Sequence, residues 1–400
     1  MRAVHRGEPG FATGLSLLIP ITLSTMAIVL LAPVLPKLMA EYAGVPHADY
    51  LAPIVLTMPA LCVALLSPVA GALGDYFGRR RLLMFALALY GVVGLAPIFL
   101  TDLTAILVSR VGVGVAEALI ITLTTTLIGD YYKGQARDRW LAAQTATASI
   151  SALLFFNLGG LLGTFGWRAP FWVYASALLM LAAVVRFTWN SDTQAEPDAH
   201  LHNLSWAAFP WSRMAGIVAV TIFASVLFYT VQIQAAPGLV AHGLSNSAQI
   251  GFLTSVASVG VPLGTLIYSR ISRTPVVWLL LIELSILGVG FVLMSKAPSV
   301  TLFLVGCGIN QIGAGLLLPT LLIWAMGQLS FEVRGRGVGV WQAAFALGQF
   351  LSPIILTFIG GRVGGLLPSF AWLGYAGFAA AAAALALIAL RSVRPKTALV

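Results

Sequence analysis

The sequence predicts an all-α membrane protein in which twelve transmembrane helices form two pseudo-symmetric six-helix bundles. Of the 400 residues, 59% are hydrophobic and only 9% are charged, and the mean hydropathy is +0.96. A soluble domain carries about 25% charged residues, so the surplus of apolar surface needs lipid around it. Long apolar runs recur along the chain, and the second half of the chain repeats features of the first half.

Twelve apolar runs have the length of a helix that crosses a bilayer. They are continuous rather than alternating in polarity, which excludes a transmembrane β-barrel. A polar segment that contains proline separates the sixth run from the seventh and is typical of a linker. We therefore expect an N-terminal bundle over residues 1–189, a cytoplasmic linker over 190–212 and a C-terminal bundle over 213–400. The runs lie near 12–35, 51–74, 82–100, 103–130, 140–164, 170–189, 213–236, 247–268, 275–295, 299–328, 337–360 and 369–390.

The lysines and arginines predict the orientation of the chain in the membrane. Of the 22 basic residues, Arg110 lies inside a run, and Lys37, Arg168, Lys296 and Arg362 lie in the loops of one side. All the others lie in the loops and tails of the opposite side. The positive-inside rule then places both termini and the linker in the cytoplasm. The net charge of +9 is explained in this way without a nucleic-acid partner, and the composition fits a bacterial inner (plasma) membrane.

The fourth apolar run contains two ionisable residues, Arg110 and Glu117. The distance from Asp102 to Asp130 along a helix is about 42 Å, and Glu117 falls near its middle. An ionised group at that depth costs about 2.5–3.5 kcal/mol on insertion scales, so such residues usually face a bundle interior or a watery cavity. Their separation of two helical turns places both on one face. We expect Glu117 to bind protons or substrate; the alternative is a permanent structural pair with Arg110.

The two halves of the chain show an internal repeat. Val111-Gly-Val-Gly114 in the fourth run matches Val305-Gly-Cys-Gly308 in the tenth, which sets Glu117 opposite Gln311. Six runs in each half keep the two repeats in the same orientation. Parallel repeats with a site at their interface, near the middle of the membrane, are a transporter arrangement.

Uncharged polar residues in the apolar runs are further candidates for contact with a substrate. Amides and a phenol can orient a ligand, but they also join helices through hydrogen bonds of about 0.6 kcal/mol each, and the sequence leaves both roles open. With Glu117 and Arg110, the candidate substrate-binding residues are Tyr229, Gln232, Asn310, Gln311, Gln144, Asn157 and Gln342.

The loop between the second and third runs resembles the signature loop of the major facilitator superfamily, a Gly-x-x-x-Asp-Arg-x-Gly-Arg-Arg pattern. In that family the loop latches the cytoplasmic side through contact between the two halves. Tyr76 occupies the position at which the family pattern has an arginine. The alternative to a latch is that the arginines only anchor the loop at the membrane surface. The resemblance implies a conformational latch formed by Gly71, Asp75, Gly78, Arg79 and Arg80.

Two further motifs resemble the same family. Arg110-Val-Gly-Val-Gly114 is similar to an Arg-x-x-x-Gly pattern whose arginine is associated with proton coupling in several members, and Gly166-Trp167-Arg168-Ala-Pro170-Phe171 is common in the twelve-helix drug:proton antiporter branch. Where that branch carries Gly-Pro-x-x-Gly-Gly, only Gly159 and Gly160 remain. The resemblance also implies that Glu283, in the ninth run, is peripheral.

Together these observations predict a secondary active transporter of a small organic molecule that works by alternating access, most simply by proton-coupled efflux. The alternative is a proton-coupled importer of an organic or aromatic acid anion, with Arg110 as the carboxylate clamp. We expect no enzyme activity, because catalytic groups do not cluster and no nucleotide-binding or metal-binding motif is present. The expected partners are the substrate, protons and the lipid bilayer, with no cofactor, metal or nucleic acid, and the protein is expected to be a monomer.

Overall fold

The computed structural model describes residues 9–189, 209–329 and 334–393, and these residues form helices and no strand. Twelve of the helical segments are long and apolar enough to cross a membrane. The predicted fold class is therefore confirmed. The predicted linker, 190–212, lies mostly outside the described residues, and the helix that follows it begins at Trp211.

We number the transmembrane helices as spans in chain order, with spans 1–6 forming the N-terminal half and spans 7–12 the C-terminal half. Short 3-10 segments interrupt span 1 and lie at the ends of spans 3 and 6 that adjoin the loops 99–102 and 164–168. Spans 1 to 6 are Phe11–Glu41, Ala48–Phe77, Arg79–Ile98, Leu103–Tyr131, Gly134–Gly163 and Ala169–Phe187. Spans 7 to 12 are Trp211–Ala241, Ser247–Ile271, Val276–Lys296, Val300–Gly327, Arg334–Val363 and Leu366–Val393.

Each half packs around its own apolar core. Tyr90, Phe156 and Tyr174 are fully buried in the core of the N-terminal half, and Phe291 and Phe303 in the core of the C-terminal half. Each half therefore has a core of its own. The molecule is thus two bundles with an interface between them, as parallel repeats require.

Two glycines bring spans 5 and 8 into backbone contact across this interface. A Cβ atom on Gly160 would lie 2.9 Å from the Cα atom of Gly251, and one on Gly251 would collide with the carbonyl oxygen of Phe156. Only glycine permits such an approach. Both glycines lie toward the loops that join spans 5 to 6 and 7 to 8, which we call the far end; the opposite end, with the loop between spans 2 and 3, is the termini end.

Three described hydrogen bonds between the halves lie on the same side of the bundle's middle. Asn157 Nδ2 donates to Ser255 Oγ at 2.8 Å, and Ser255 Oγ lies 3.3 Å from the carbonyl oxygen of Leu153. Thr357 Oγ1 lies 3.5 Å from the carbonyl oxygen of Asp49, where spans 11 and 2 meet. The halves are therefore closed against each other at the far end.

We expect Gly251→Ala to weaken this closure by about 1–3 kcal/mol, because the added methyl group overpacks a backbone contact. Spin labels placed at Val45, in the loop between spans 1 and 2, and at Arg362, in the last turn of span 11, should report a longer separation in the variant. Gly308→Ala is the matched control, since a Cβ atom there meets nothing within 4 Å. An unchanged distance in Gly251→Ala would show that the glycine contact does not hold the end closed.

Candidate functional site

A cavity of about 250 Å³ lies between the two halves, near the middle of the bundle. Spans 1, 2, 4 and 5 form one wall, and spans 7, 8, 10 and 11 form the other. Its surface is mainly apolar, with a few polar groups facing inward, which is typical of a site for a small organic ligand. The polar residues of the lining are Ser24, Thr25, Glu117, Tyr229, Gln232, Ser258, Gln342 and Gln349.

Glu117 is the acidic residue of the cavity wall. Its side chain is only 5% exposed, and its Oε2 atom has no hydrogen-bond partner among the described residues. No ion pair within 4 Å joins it to Arg110 in the described part of the chain. A buried carboxylate without a cation or donors is costly, so the permanent structural pair that the sequence left open is not formed in this structure.

Span 7 supplies the facing wall. The ring of Tyr229 packs edge-on against Phe228 and Phe345, with centroid distances of 4.7 and 5.5 Å. Gln232 Nε2 donates to Gln311 Oε1 at 2.8 Å, whereas Gln232 Oε1 is buried without a partner among the described residues. Gln342 enters from span 11. The cavity therefore combines an aromatic surface with a free amide acceptor.

Asn310 and Gln311 lie behind this wall rather than in it. Both are fully buried, and neither belongs to the lining. Gln311 Nε2 contacts Asn310 Oδ1 at 3.3 Å, and Asn310 Nδ2 donates to the carbonyl oxygen of Leu287 at 3.3 Å. Through its Oε1 atom, Gln311 holds the amide of Gln232 in place. In this structure the two residues position a lining residue and do not face the cavity themselves.

Arg110 is also outside the cavity lining, and it is fully buried among spans 1, 2, 4 and 6. Its Nε donates to the carbonyl oxygen of Val55, and its Nη2 donates to that of Ala27, both at 3.1 Å. The guanidinium carbon lies 5.1 Å from the ring centroid of Tyr174, a cation–π distance. These contacts turn Nε and Nη2 toward neighbouring backbones, whereas Nη1 is buried without a hydrogen-bond partner among the described residues.

Both carbonyls that Arg110 contacts lack their usual helical donor. The carbonyl of Val55 would accept from residue 59, but Pro59 has no N–H. The carbonyl of Ala27 would accept from Leu31, whose N–H instead donates to Ile28 at 3.1 Å. Inside a membrane no water can replace these donors. Arg110 therefore stabilises two interruptions of helical bonding, one in span 1 and one in span 2.

A similar contact occurs in the C-terminal half. Pro319 interrupts span 10 and deprives the carbonyl of Gly315 of its donor. The hydroxyl of Thr265 in span 8 lies 3.2 Å from that oxygen and 3.1 Å from the carbonyl of Val261, so it shares its proton between the two. In each half, a side chain of a neighbouring helix thus donates to the carbonyl that a proline leaves without its helical donor.

Two other predicted substrate residues of span 5 lie outside the lining. Gln144 is buried, and its Oε1 lies 3.3 Å from Thr125 Oγ1 of span 4. Asn157 forms the bond to Ser255 between the halves. Gln144 thus joins two helices of one half, and Asn157 belongs to the contact at the far end.

The described contacts of the predicted latch residues lie within the N-terminal half. Arg79 forms ion pairs with Asp75 at 2.8 Å and with Asp130 at 2.6 Å, and Arg80 donates to Thr188 at 2.9 Å. Gly78 has a φ of +87°, which allows the tight reversal between spans 2 and 3. A Cβ atom on Gly71 would meet only Thr122, at 4.0 Å, so that position is not tightly packed.

Glu283 is the other buried carboxyl that the sequence singled out. It is fully buried between spans 9 and 10, and its Oε1 accepts from Thr320 Oγ1 at 2.5 Å. It does not line the cavity. Among the described residues, no group of three or more His, Cys, Asp or Glu side chains is placed to hold a metal ion.

The sequence did not single out Phe228, Phe345, Ser24 or Ser258, which line the cavity. Phe228 and Phe345 are two of the 21 phenylalanines of the chain, most of which lie in apolar runs. Only the packing of span 7 against span 11 shows which phenylalanines face inward. No signal in a single sequence separates them from phenylalanines that face lipid or the core.

Twelve spans in two repeats, with a mixed cavity at mid-depth between the halves, define the chain as a membrane transporter. The sequence model of the Major Facilitator Superfamily matches residues 17–234. The chain belongs to this family, and the resemblance of its motifs to the superfamily is confirmed. Membership of the drug:proton antiporter branch stays a prediction.

Individual relatives and solved structures agree with this assignment. The chain is 26% identical to the 3-(3-hydroxy-phenyl)propionate transporter of Escherichia coli (strain K12), over 75% of the chain and 76% of the relative. It is 28% identical to the class C tetracycline resistance protein of Escherichia coli, over 51% of the chain and 52% of the relative. The crystal structure of a D-xylose-proton symporter superposes with a TM-score of 0.76 at 14% identity, covering 94% of the chain and 97% of that structure.

We expect Arg110→Leu to destabilise the purified protein by about 2–6 kcal/mol, because two buried carbonyls lose their donors at about 1–3 kcal/mol each. Adding Pro59→Ala returns an N–H to the carbonyl of Val55. The double variant should therefore regain part of the loss in thermal unfolding, whereas Pro59→Ala alone should stabilise the wild-type protein less. Equal effects of Pro59→Ala in both backgrounds would contradict the assignment of Arg110 to this carbonyl.

Proposed function

We propose that this protein is a proton-coupled exporter, which moves a small organic molecule out of the cell by alternating access of the central cavity. The observation that carries the proposal is the position of Glu117, an acid in the cavity wall whose Oε2 has no described partner. An unpaired charge in such a place is avoided by neutralisation. Glu117 therefore holds a proton when the cavity is empty and releases it when a substrate supplies hydrogen-bond donors.

This exchange produces antiport. Two states reorient: the empty transporter with Glu117 protonated, and the substrate-loaded transporter with Glu117 deprotonated. One proton carried by Glu117 therefore enters the cell for each substrate molecule that leaves it. Tyr229, Gln232 and Gln342 contact the substrate from the C-terminal half. Arg110 contributes through its place two turns from Glu117 on span 4: it fixes spans 1 and 2 against that helix.

The two ends of the bundle take different parts in this cycle. The glycine contact and the Asn157 bond form the far-end closure. The loop with Gly71, Asp75, Gly78, Arg79 and Arg80 forms the latch at the termini end when the halves meet there. We place the termini end in the cytoplasm of a bacterial cell, from the distribution of basic loops, and the far end outside the inner membrane. One chain holds both halves and the whole cavity, so we propose that the monomer is the working unit.

The rival function is proton-coupled import of an organic acid anion. It is favoured by the similarity to a protein named as a 3-(3-hydroxy-phenyl)propionate transporter. In that case Arg110 would have to leave the two carbonyls that it contacts and reach the cavity. The contacts of Arg110 therefore support the exporter, and the direction of coupling separates the two functions.

We expect gradient-driven transport to be lost in Glu117→Gln, because the amide does not take up and release a proton as a carboxyl group does. The measurement is accumulation of tryptamine and of 3-phenylpropionate in proteoliposomes with an imposed pH gradient, after subtraction of the uptake by protein-free liposomes. In the wild type, tryptamine should move against the proton flow, and in Glu117→Gln the gradient should drive no uptake beyond that of the protein-free liposomes. Glu283→Gln is the matched control, since that carboxyl is equally buried but outside the cavity. Movement of 3-phenylpropionate with the protons would instead establish the importer.

A further inference from the structure

We infer that the cavity selects a compact amine in its protonated form, attached to an apolar or aromatic body, and discriminates against carboxylates. This inference rests on the proposed function, because it names the substrate class of the same site. It follows from the charge of the cavity wall, from two unpartnered acceptors and from the aromatic surface beside them.

The described wall of the cavity has no positive group that could balance an anionic ligand. Among the described residues that line the cavity, Glu117 is the acid, and no lysine, arginine or histidine is present. The nearest candidate for a positive group, Arg110, is fully buried behind the wall, with two of its nitrogens bonded to backbone carbonyls. A carboxylate ligand would bring a negative charge into the cavity without a counter-ion in the described wall, and it offers no donor that favours release of the Glu117 proton. An unpaired charge in a partly dry site is costly.

Two oxygen atoms of the cavity wall have no described hydrogen-bond partner. Glu117 Oε2 and Gln232 Oε1 are both buried, both lack a described partner, and they belong to opposite halves of the transporter. The other amide atom of Gln232 is fixed by Gln311, so the oxygen cannot exchange places with the nitrogen without losing the bond of 2.8 Å. Once Glu117 has released its proton, a ligand satisfies both oxygens only with donors. An ammonium group offers three donors and no acceptor.

An aromatic surface lies opposite Glu117 in the cavity. Phe228, Tyr229 and Phe345 form one ring cluster on the wall that faces Glu117, with centroid separations of 4.7 to 5.9 Å. Aromatic faces attract cations and pack against apolar bodies. The volume of about 250 Å³ lies just below the usual range of roughly 300–1,000 Å³ for ligand pockets. The geometry therefore suits a molecule of one or two rings with a short amine arm.

An ammonium ligand also completes the proton exchange. The protonated amine binds, Glu117 releases its proton, and the resulting carboxylate forms an ion pair with the ammonium group. One positive charge enters the site and one proton leaves it, so the net charge of the occupied cavity equals that of the empty one. Because Gln232 lies in the other half, the ligand joins both walls of the cavity while it is bound.

The test is calorimetric binding to the full-length protein in detergent, with probes that differ only in the polar group. Phenethylamine, 2-phenylethanol and 3-phenylpropionate form one set, and tryptamine, tryptophol and indole-3-propionate form a larger one. We expect the amines to bind at least about tenfold more tightly than the matched alcohols, and the carboxylates to bind least. Titration in buffers of different ionisation enthalpy should show release of a proton on amine binding.

Variants assign the effect to the two acceptors. Glu117→Gln should weaken amine binding roughly 30-fold or more, the loss expected when one partner of a buried charge pair is removed. Gln232→Met should weaken it about tenfold, because one donor of the ligand loses its acceptor. Glu283→Gln is the control for loss of a buried carboxyl, and a thermal melt of each variant shows whether it is folded. Gln232→Met keeps the test decisive if Glu117→Gln does not fold.

Binding of the alcohols or carboxylates as tight as that of the amines, or no binding of any amine at millimolar concentration, would overturn the inference. These outcomes are distinct from failure of the proposed function. If amines bind through Glu117 but no proton is released, the substrate class stands and proton antiport falls. If carboxylates bind best while transport still follows the pH gradient, proton coupling stands and the amine assignment falls.

Discussion

The architecture of the N-terminal half depends on the need to satisfy every backbone polar group without water. Spans 1 and 2 both interrupt their helical bonding near the middle of the bundle, and the guanidinium of Arg110 donates to the carbonyls of Ala27 and Val55. One side chain therefore fixes three helices, and the stacked ring of Tyr174 adds span 6. Glu117 lies two turns further along span 4, on a helix whose position is set by these contacts. The charged side chain that is costly in lipid therefore holds four helices of this half in place.

The two halves divide the work of the site unequally. The N-terminal half holds the charged groups of the centre, Arg110 in the interior and Glu117 at the cavity. The C-terminal half offers a chain of amides, in which Asn310 and Gln311 support Gln232 from behind. An amide chain has no charge to compensate, so this half can move against the other without exposing an ion pair. The repeat in the sequence thus conserves the framework of the two halves but not their chemistry.

The fold could be predicted almost completely from the sequence, because composition and run length alone decide how often a chain crosses the membrane. The site could be predicted only in part. Of the predicted substrate residues, Glu117, Tyr229, Gln232 and Gln342 line the cavity, and their contact with substrate stays a prediction. Arg110 was singled out by the same polarity but lies behind the wall. Polarity inside an apolar run reveals that a partner exists but not which one, since the rotation of each helix about its axis is set by packing. The donors lost at Pro59 and Leu31 show how this ambiguity is resolved: the partner of Arg110 is a pair of backbone carbonyls.

The contact that closes the far end carries no charge. Gly160 of span 5 meets Gly251 of span 8 through bare backbone, and such contact is governed by shape alone. Partly exposed ion pairs lie at both ends, but within the N-terminal half: Arg79 with Asp75 and Asp130 at the termini end, and Arg168 with Glu41 at the far end. Ion pairs of this kind weaken as ionic strength rises. Dissolved salt therefore loosens loops of one half and leaves the glycine contact between the halves unchanged.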